Sequence, residues 1–222
     1  MQCLALFDLD DTLINRRRAL EAAVARLADR HHLGVDAYEA VLARLTERAG
    51  VEDFSVVRSR YGLAVSAEGL WQEYVADMAA TSVCPDEVLD GLDELRARGW
   101  RVGVVTNGAA DIQGAKLRAT GIAPRVHGVC VSAELGFRKP DPRIFAAAAG
   151  RCGAAPERGG WMVGDDPVKD IVGGRSAGLG TLWISGTFDW PTVLPAPDRT
   201  AATALAAIRQ LLDRSPGGGR SR

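Results

Sequence analysis

Short apolar runs and longer amphipathic segments follow one another along most of this chain. The apolar runs have the length of buried strands and cover residues 3–7, 101–106, 126–131, 161–164 and 181–184. Between them, apolar residues recur at the i, i+3, i+4 and i+7 spacing that favours helices. Because strands that alternate with helices form parallel sheets, the pattern predicts an α/β fold with a Rossmann-like, doubly wound parallel sheet.

The helices of this alternating part are delimited by residues that start or stop helices. Gly99, Gly121 and Gly178 follow three of the amphipathic segments, as is typical of helix C-termini. Asp141 and Pro142 suit the start of another helix, with a capping side chain followed by proline. The predicted helices cover residues 86–98, 111–120, 141–152, 168–177 and 200–212.

Residues 16–80 carry only the helical pattern. Glycines at positions 34, 50 and 62 divide this block, which therefore predicts about four helices. Since the block separates the first strand from the next strand-forming run, we interpret it as an all-helical cap inserted into the core. The predicted domains are a core of residues 1–14 and 81–214 and a cap of residues 15–80. The glycine-rich tail, residues 215–222, is predicted to be disordered.

Composition excludes several classes of function. The chain has 222 residues, of which 47% are hydrophobic, and a net charge of −1, so neither nucleic acid nor an anionic membrane is an expected partner. No apolar run approaches the roughly 20 residues that span a bilayer. An acidic motif stands where a signal peptide would be basic and then apolar, so we expect a cytoplasmic protein. The oligomeric state is not indicated.

Two carboxylates follow the first strand. Asp8 and Asp10 are two residues apart, so their side chains leave an extended strand on the same side. Neighbouring carboxylates repel each other unless a cation or a shared proton lies between them, and oxygen ligands of this kind suit Mg²⁺. One carboxylate would then be able to attack a substrate while the other transfers protons.

Polar residues also follow the later strands. Because the carboxyl ends of parallel strands meet at one edge of the sheet, we expect these residues to lie together. Acids that hold a cation, opposite a hydroxyl, backbone N–H groups and a lysine, form a site for a phosphoryl group. The residues are Thr106, Asn107 and Gly108 after the second strand, Lys139 after the third, and Asp165, Asp166 and Asp170 after the fourth.

Taken together, these motifs resemble those of the haloacid dehalogenase (HAD) superfamily, specifically its phosphatase branch with a helical cap inserted after the first strand. The matching segments occur in the family's order and span essentially the whole chain. They are Asp8-Leu9-Asp10-Asp11-Thr12, Thr106-Asn107, Lys139-Pro140-Asp141-Pro142, and Gly164-Asp165-Asp166 through Asp170.

The resemblance implies a role for each of these residues. Asp8 would be the nucleophile that becomes an aspartyl-phosphate, and Asp10 would protonate the leaving group and then deprotonate water. Lys139 would bridge the nucleophile and the phosphate. The phosphoryl oxygens would be held by Thr106 and by the backbone N–H groups of Asn107 and Gly108.

The resemblance also implies a Mg²⁺ site. Asp165 would complete it together with Asp8 and the backbone carbonyl of Asp10. Asp170 and Asp166 would support metal-bound water or the lysine. The family often has Ser or Asn at the position of Asp166, so which of these two acids touches the metal stays open.

The implied function is a Mg²⁺-dependent phosphatase that hydrolyses a small phosphorylated metabolite. A sugar phosphomutase and a non-catalytic binding module remain alternatives. A 2-haloacid dehalogenase is less expected because it needs no metal and usually lacks the second aspartate, and a phosphonate hydrolase needs a cap lysine that residues 15–80 do not contain. The sequence does not indicate which metabolite is bound, or whether Arg16, Arg17 or Arg18 binds an anionic part of it.

Overall fold

The computed structural model describes residues 3–47, 49–155, 159–186 and 189–213. The predicted disordered tail, residues 215–222, lies outside the described residues. The chain divides into two compact units, which are described separately. The first unit comprises Met1–Ile14, Cys84–Asn107 and Gly121–Arg222, and the second comprises Asn15–Val83 and Gly108–Thr120.

A parallel sheet forms the centre of the first unit, called the core unit below. Within the described residues the sheet has six strands in the order β3-β2-β1-β4-β5-β6, and every pair is parallel. This arrangement confirms the predicted α/β, Rossmann-like fold. The strands are β1 (Cys3–Phe7), β2 (Trp100–Thr106), β3 (Gly128–Val131), β4 (Trp161–Gly164), β5 (Gly180–Ile184) and β6 (Arg199–Ala201).

The sixth strand corrects the sequence prediction, which assigned residues 200–212 to a single helix. Arg199–Ala201 instead pairs with Leu182–Ile184 of β5. The helix begins only at Ala204, because Thr203 has extended backbone angles and its side chain accepts a hydrogen bond from the backbone N–H of Ala206. A strand of three residues is too short to show an alternating pattern, so its pairing is not evident from the sequence.

Helices cover the sheet, and their apolar faces form the core with the strands. Leu4, Leu6 and Met162 of the strands pack with Ile144 and Phe145 of a helix in one buried cluster. The region predicted as a helix over 168–177 is π-helical over Pro167–Val172 and α-helical only afterwards. The helices of the core unit are α5 (Asp86–Ala97), α7 (Pro142–Arg151), α8 (Gly173–Ser176) and α9 (Ala204–Leu212).

The second unit, called the helical unit below, is all-helical, as the pattern of residues 16–80 predicts. An aromatic cluster lies at its centre, where Phe54, Trp71 and Tyr74 have ring centroids 5.3–6.0 Å apart. The unit contains α1 (Arg16–Arg30), α2 (Val35–Leu45), α3 (Val51–Tyr61), α4 (Ala67–Thr81) and α6 (Ala110–Ala119).

The fifth of these helices is not part of the block that the sequence assigns to the cap. Ile112 of α6 is buried with residues of α1 to α4, and Asp111 accepts a 2.6 Å hydrogen bond from the indole of Trp71. By its packing α6 therefore groups with the helical unit. The cap boundaries proposed from the sequence, residues 15–80, rest on the periodic pattern alone and do not include this helix.

Charged side chains on two helices of the helical unit are paired with each other. The guanidinium of Arg30 donates two hydrogen bonds to Asp77, of 2.9 and 3.1 Å, and one of 3.2 Å to Glu73. Glu73 also contacts His31 at 2.7 Å, and Arg26 lies 3.9 Å from Asp77. This group, which joins α1 to α4, is called the Arg30 cluster below. No helix among the described residues has the length and apolar composition that crossing a membrane requires.

Candidate active site

The carboxyl end of β1 brings Asp8 to the edge of the sheet. The backbone N–H of Asp8 donates a 2.9 Å hydrogen bond to the carbonyl of Val163 in β4, so the pairing of the two strands extends one residue beyond β1. Asp165 follows the end of β4 directly. Two of the predicted acids therefore leave neighbouring strands at the same edge, as the sequence predicts.

Lys139 bridges two carboxylates in the buried part of this edge. Its Nζ lies 2.7 Å from Oδ1 of Asp8 and 2.7 Å from Oδ1 of Asp170. Lys139 is only 3% exposed and Asp170 is fully buried. Such a geometry provides strong charge-assisted hydrogen bonds, and it fixes the ammonium group beside the candidate nucleophile.

Asn107 holds the main chain of Lys139. Its side-chain Nδ2 donates to the carbonyl of Lys139 at 3.1 Å, and its Oδ1 accepts from the backbone N–H of Lys139 at 3.0 Å. The following peptide, Lys139–Pro140, is cis. The side chain of Asn107 thus has a positioning role beside the backbone role that the resemblance implies for this residue.

Asp8, Asp165 and Asp170 form an acidic group, called the Asp8 cluster below, in which one oxygen from each residue lies within 4.8 Å of the others. Burial raises the pKa of Asp8 to about 7, and the neighbouring carboxylates add to this effect while Lys139 opposes it. Burial and repulsion from Asp8 raise the pKa of Asp165 to about 7. Burial also raises the pKa of Asp170, against the effect of Lys139.

The pKa of Lys139 is raised in turn, because the attraction of Asp170 and Asp8 outweighs the effect of burial. The three carboxylates of the Asp8 cluster thus lie close together, and Lys139 contacts two of them. A second cation would relieve the remaining repulsion, and an all-oxygen donor set suits Mg²⁺. The residues present thus fit the predicted metal.

The side chain of Asp170 is held at both oxygens. Oδ1 accepts from Lys139 at 2.7 Å, and Oδ2 accepts from the backbone N–H of Asp166 at 3.1 Å. The last residue of β4 must also be small, because a Cβ on Gly164 would lie only 2.2 Å from Oδ2 of Asp170. These contacts place Asp170 as the partner that orients the lysine.

Asp166 begins the π-helical turn. Its Oδ1 accepts from the backbone N–H groups of Val168 and Lys169 at 2.9 and 2.8 Å, and its Oδ2 contacts the ammonium group of Lys169 at 2.5 Å. Despite partial burial, these contacts lower the pKa of Asp166. Its carboxylate therefore serves as a helix cap with its own counter-charge.

Two other predicted site residues also lie in the core unit. Asp10 is half-buried in a tight turn after β1, where Asp11 has a left-handed backbone conformation with φ of 58°. Thr106 ends β2 and is only 1% exposed. Gly108 groups with the helical unit, and the phosphate contact expected of its N–H stays a prediction.

Comparison with known proteins identifies the family. The family model of haloacid dehalogenase-like hydrolases matches residues 4–178. The chain belongs to this family. All of the predicted HAD motifs fall inside the matched residues, which also contain the whole Asp8 cluster.

Individual relatives show how the HAD fold is used elsewhere. Phosphoserine phosphatase from Thermus thermophilus is 44% identical over 93 residues, which are 42% of this chain and 37% of that relative. Glyceraldehyde 3-phosphate phosphatase from Methanopyrus kandleri is 34% identical over 192 residues, which cover 81% of this chain and 82% of that protein. A 2-haloacid dehalogenase from Pseudomonas syringae pv. Tomato has a similar structure, with a TM-score of 0.74, 25% identity, and coverage of 96% of this chain and 99% of that one.

Two residues that contact the HAD site were not assigned a role from the sequence. The hydroxyl of Thr12 donates a 3.1 Å hydrogen bond to Oδ1 of Asp165, and the indole N–H of Trp183 donates a 2.7 Å hydrogen bond to the backbone carbonyl of Asp165. Thr12 lies within the first motif, which was a usable signal. Trp183 lies in an apolar strand whose sequence gives no sign of this contact.

The arginine triplet makes contacts within the helical unit. Arg16 donates from its guanidinium to the carbonyls of Thr46 and Leu45, at 2.6 and 3.1 Å, near the C-terminus of α2. Arg17 pairs with Glu21 at 3.1 Å, one helical turn along α1. Substrate binding by any of Arg16, Arg17 or Arg18 therefore stays a prediction.

Proposed function

We propose that this HAD protein is a Mg²⁺-dependent phosphatase that hydrolyses a small phosphate monoester through an aspartyl-phosphate on Asp8. The observation that carries the proposal is the Asp8 cluster, in which Lys139 contacts both Asp8 and Asp170 at 2.7 Å while Asp165 adds a third carboxylate. Two curated relatives, described above, are named phosphatases, which supports the same class of reaction.

In the proposed first step, a carboxylate oxygen of Asp8 attacks phosphorus. The Asp8 O–P bond forms while the bond from phosphorus to the leaving oxygen breaks, and Asp10 gives that oxygen a proton. In the second step a water oxygen attacks the same phosphorus, the Asp8 O–P bond breaks, and Asp10 takes a proton from the water. Asp8 and Asp10 are then restored and inorganic phosphate is released.

The positive charges address the main obstacle to this reaction, since a carboxylate and a phosphate dianion repel each other. Lys139 supplies one of these charges beside Asp8, held in place by Asp170 and Asn107. Asp8, Asp165 and the backbone carbonyl of Asp10 would hold Mg²⁺, which supplies a second positive charge to the phosphoryl group. Thr106 and the backbone N–H groups of Asn107 and Gly108 would hold the phosphoryl oxygens.

The dehalogenase alternative rests on fold similarity, and a fold does not determine which reaction its site performs. The acid set argues against it here. A dehalogenase releases halide, which needs no proton from Asp10, and it needs no metal for the three carboxylates of the Asp8 cluster to hold. The substrate of the phosphatase reaction is a small phosphorylated metabolite whose identity stays open.

A phosphate-release screen tests the proposal. The purified protein is incubated with a broad panel of sugar phosphates, phosphorylated amino acids and carboxylic acids, and nucleoside monophosphates, in Mg²⁺ and in chelator. We expect phosphate release from at least one monoester, lost in chelator and restored by added Mg²⁺. Halide release from a 2-haloacid in chelator, without phosphate release anywhere in the panel, would show the dehalogenase reaction instead.

A further inference from the structure

The backbone carbonyl of Asp165 is bound by a tryptophan from the next strand. Trp183 lies in β5 opposite Gly164, the residue that ends β4, and its side chain is nearly buried. Its indole Nε1–H donates to the Asp165 carbonyl at 2.7 Å, a short distance for an N–H···O bond. The indole thus continues the contact between β4 and β5 one residue past the end of the paired region.

The backbone carbonyl of Asp165 needs a hydrogen-bond donor of this kind. After Gly164 the chain turns away from the sheet, because Asp166 takes the N-cap position of the π-helical turn. The backbone N–H of Ser185, the residue after β5, donates to the carbonyl of Ala201 in β6 at 3.0 Å and is therefore engaged elsewhere. A partly buried carbonyl without a donor is costly, and the indole N–H removes that cost.

Trp183 is itself held in place. The ring of Trp190 packs edge-on against it with ring centroids 5.0 Å apart and planes at 75°. The indole N–H of Trp190 donates to the carbonyl of Leu194 at 3.2 Å, which fixes the second ring. A tryptophan pair with this geometry leaves the Nε1–H of Trp183 little freedom to move.

Asp165 is therefore fixed at both ends. The Thr12 hydroxyl binds Oδ1 of its carboxylate at 3.1 Å, and Trp183 binds its peptide carbonyl. We propose that Trp183 is a positioning residue for the metal site, whose indole N–H fixes the Asp165 peptide so that the carboxylate faces Asp8 and Asp170. The proposal rests on the Mg²⁺ site of the proposed function.

When a residue that contacts a metal ligand but not the metal itself is removed, metal affinity typically falls by about 10- to 100-fold. Rotation of the Asp165 peptide would move its carboxylate relative to Asp8, and Mg²⁺ tolerates such displacement poorly because it demands near-octahedral geometry. Loss of the N–H should thus weaken Mg²⁺ binding more than it affects turnover once Mg²⁺ is saturating.

The test compares Mg²⁺ dissociation constants, measured by titration calorimetry, for the wild-type protein, Trp183→Phe and Trp190→Phe. We expect Mg²⁺ affinity to fall by about tenfold or more in Trp183→Phe, with a matching rise in the KM for Mg²⁺ and recovery of kcat at saturating Mg²⁺. Trp190→Phe keeps the critical N–H and is the matched control, for which we expect a clearly smaller change.

A second replacement separates the hydrogen bond from packing. Incorporation of 3-benzothienylalanine at position 183 places sulfur where the N–H stands and nearly preserves the shape of the ring, so it remains informative if Trp183→Phe does not fold. Weakened Mg²⁺ binding in this variant supports the proposal, and wild-type affinity overturns it while leaving the phosphatase proposal intact. A wild-type protein that releases phosphate without any Mg²⁺ binding would overturn the metal site and this role together.

Discussion

Each unit of this protein contains a group of acids bridged by a basic side chain, and the two groups differ in their charge balance. In the Arg30 cluster, two arginines and a histidine face two acids, and the side chain of Arg30 is 41% exposed. The Asp8 cluster has three acids, of which a single lysine contacts two, and the side chain of Lys139 is almost fully buried.

The difference indicates how a structural ion network can be told from a functional one. A balanced and partly solvated network satisfies itself and needs no ligand. A buried network with an excess of one charge is unfavourable on its own, as the raised pKa values of Asp8 and Asp165 show, and becomes favourable when a ligand supplies the missing charge. Charge imbalance in a buried group is therefore the more informative signal of a binding site.

The largest expected effect on activity comes from replacing an aspartate of the Asp8 cluster by asparagine, and the same replacement in the Arg30 cluster is the comparison. Asp8→Asn removes the attacking oxygen, so kcat should fall at least about 10³-fold, equivalent to about 4 kcal/mol of barrier. It also removes one excess negative charge, so the melting temperature in chelator should stay unchanged or rise. Phosphate release and thermal melting measure the two properties.

Asp77→Asn is the matched control for Asp8→Asn. It breaks a satisfied pair with Arg30, so it should lower the melting temperature while kcat stays at the wild-type value. Retention of more than about a tenth of the wild-type rate by Asp8→Asn, which corresponds to only ~1.4 kcal/mol, would contradict the assignment of the nucleophile.

Replacing the basic side chain that bridges each cluster should lower the stability of the protein by different amounts in the two cases. Lys139→Met leaves two buried carboxylates, those of Asp8 and Asp170, without their counter-charge, and we expect a loss of about 3–5 kcal/mol in the free energy of unfolding. Arg30→Met removes a partly exposed partner and should cost about 1 kcal/mol or less. Urea unfolding in chelator measures both values. If added Mg²⁺ does not recover part of the loss in Lys139→Met, the excess charge is not what binds the metal.

Asp10 lies outside the Asp8 cluster, and the proposed mechanism assigns proton transfer to its carboxylate. Asp10→Asn should slow hydrolysis of an alkyl phosphate by about 10²-fold, since general acid catalysis matters most for a basic leaving group. The loss with p-nitrophenyl phosphate should be smaller in the first chemical step, and Mg²⁺ affinity should be unchanged. Equal first-step losses on the two substrates would argue against Asp10 as the acid.

The smallest predicted effect concerns the glycine beside Asp170. Gly164→Ala would place a methyl group 2.2 Å from Oδ2 of Asp170, so this carboxylate must shift and release its hold on Lys139. We expect kcat to fall by about tenfold, the lower range for loss of a supporting contact. Gly150→Ala is the control, because a Cβ there meets no atom within 4 Å. Equal activity of the two variants would show that the packing at Gly164 is irrelevant to catalysis.

The sequence predicts the sheet well because apolar runs and helix-stopping glycines are local signals. It does not predict β6, whose three residues include Arg199 and Thr200 and depend on pairing with β5 for their conformation. The assignment of residues 168–177 to an ordinary helix is likewise incomplete, since Asp166 caps a π-helical turn there. In both cases the outcome depends on tertiary contacts rather than on periodicity.

The candidate site likewise has some contacts that the sequence predicts and others that depend on tertiary structure. The strand-end rule brings Asp8, Lys139, Asp165 and Asp170 together from sequence alone, and the structure has them in contact or within a few ångströms. The contact of Trp183 with Asp165 joins residues 18 positions apart and depends on the register of β4 and β5. Such a contact requires atomic positions, which no motif provides.

The central claim is that Asp8 carries the phosphoryl group during turnover, and the most direct test traps that species. In the Asp10→Asn variant, p-nitrophenyl phosphate should still transfer its phosphoryl group, while hydrolysis of the intermediate is slowed for lack of a base. After acid quenching, peptide mass spectrometry should find one phosphoryl group on the peptide that contains Asp8. The group should form only with Mg²⁺ and should be absent from a double variant that carries both Asp8→Asn and Asp10→Asn. Continued release of p-nitrophenol with no phosphoryl group on Asp8, or with the group on another residue, would contradict the account.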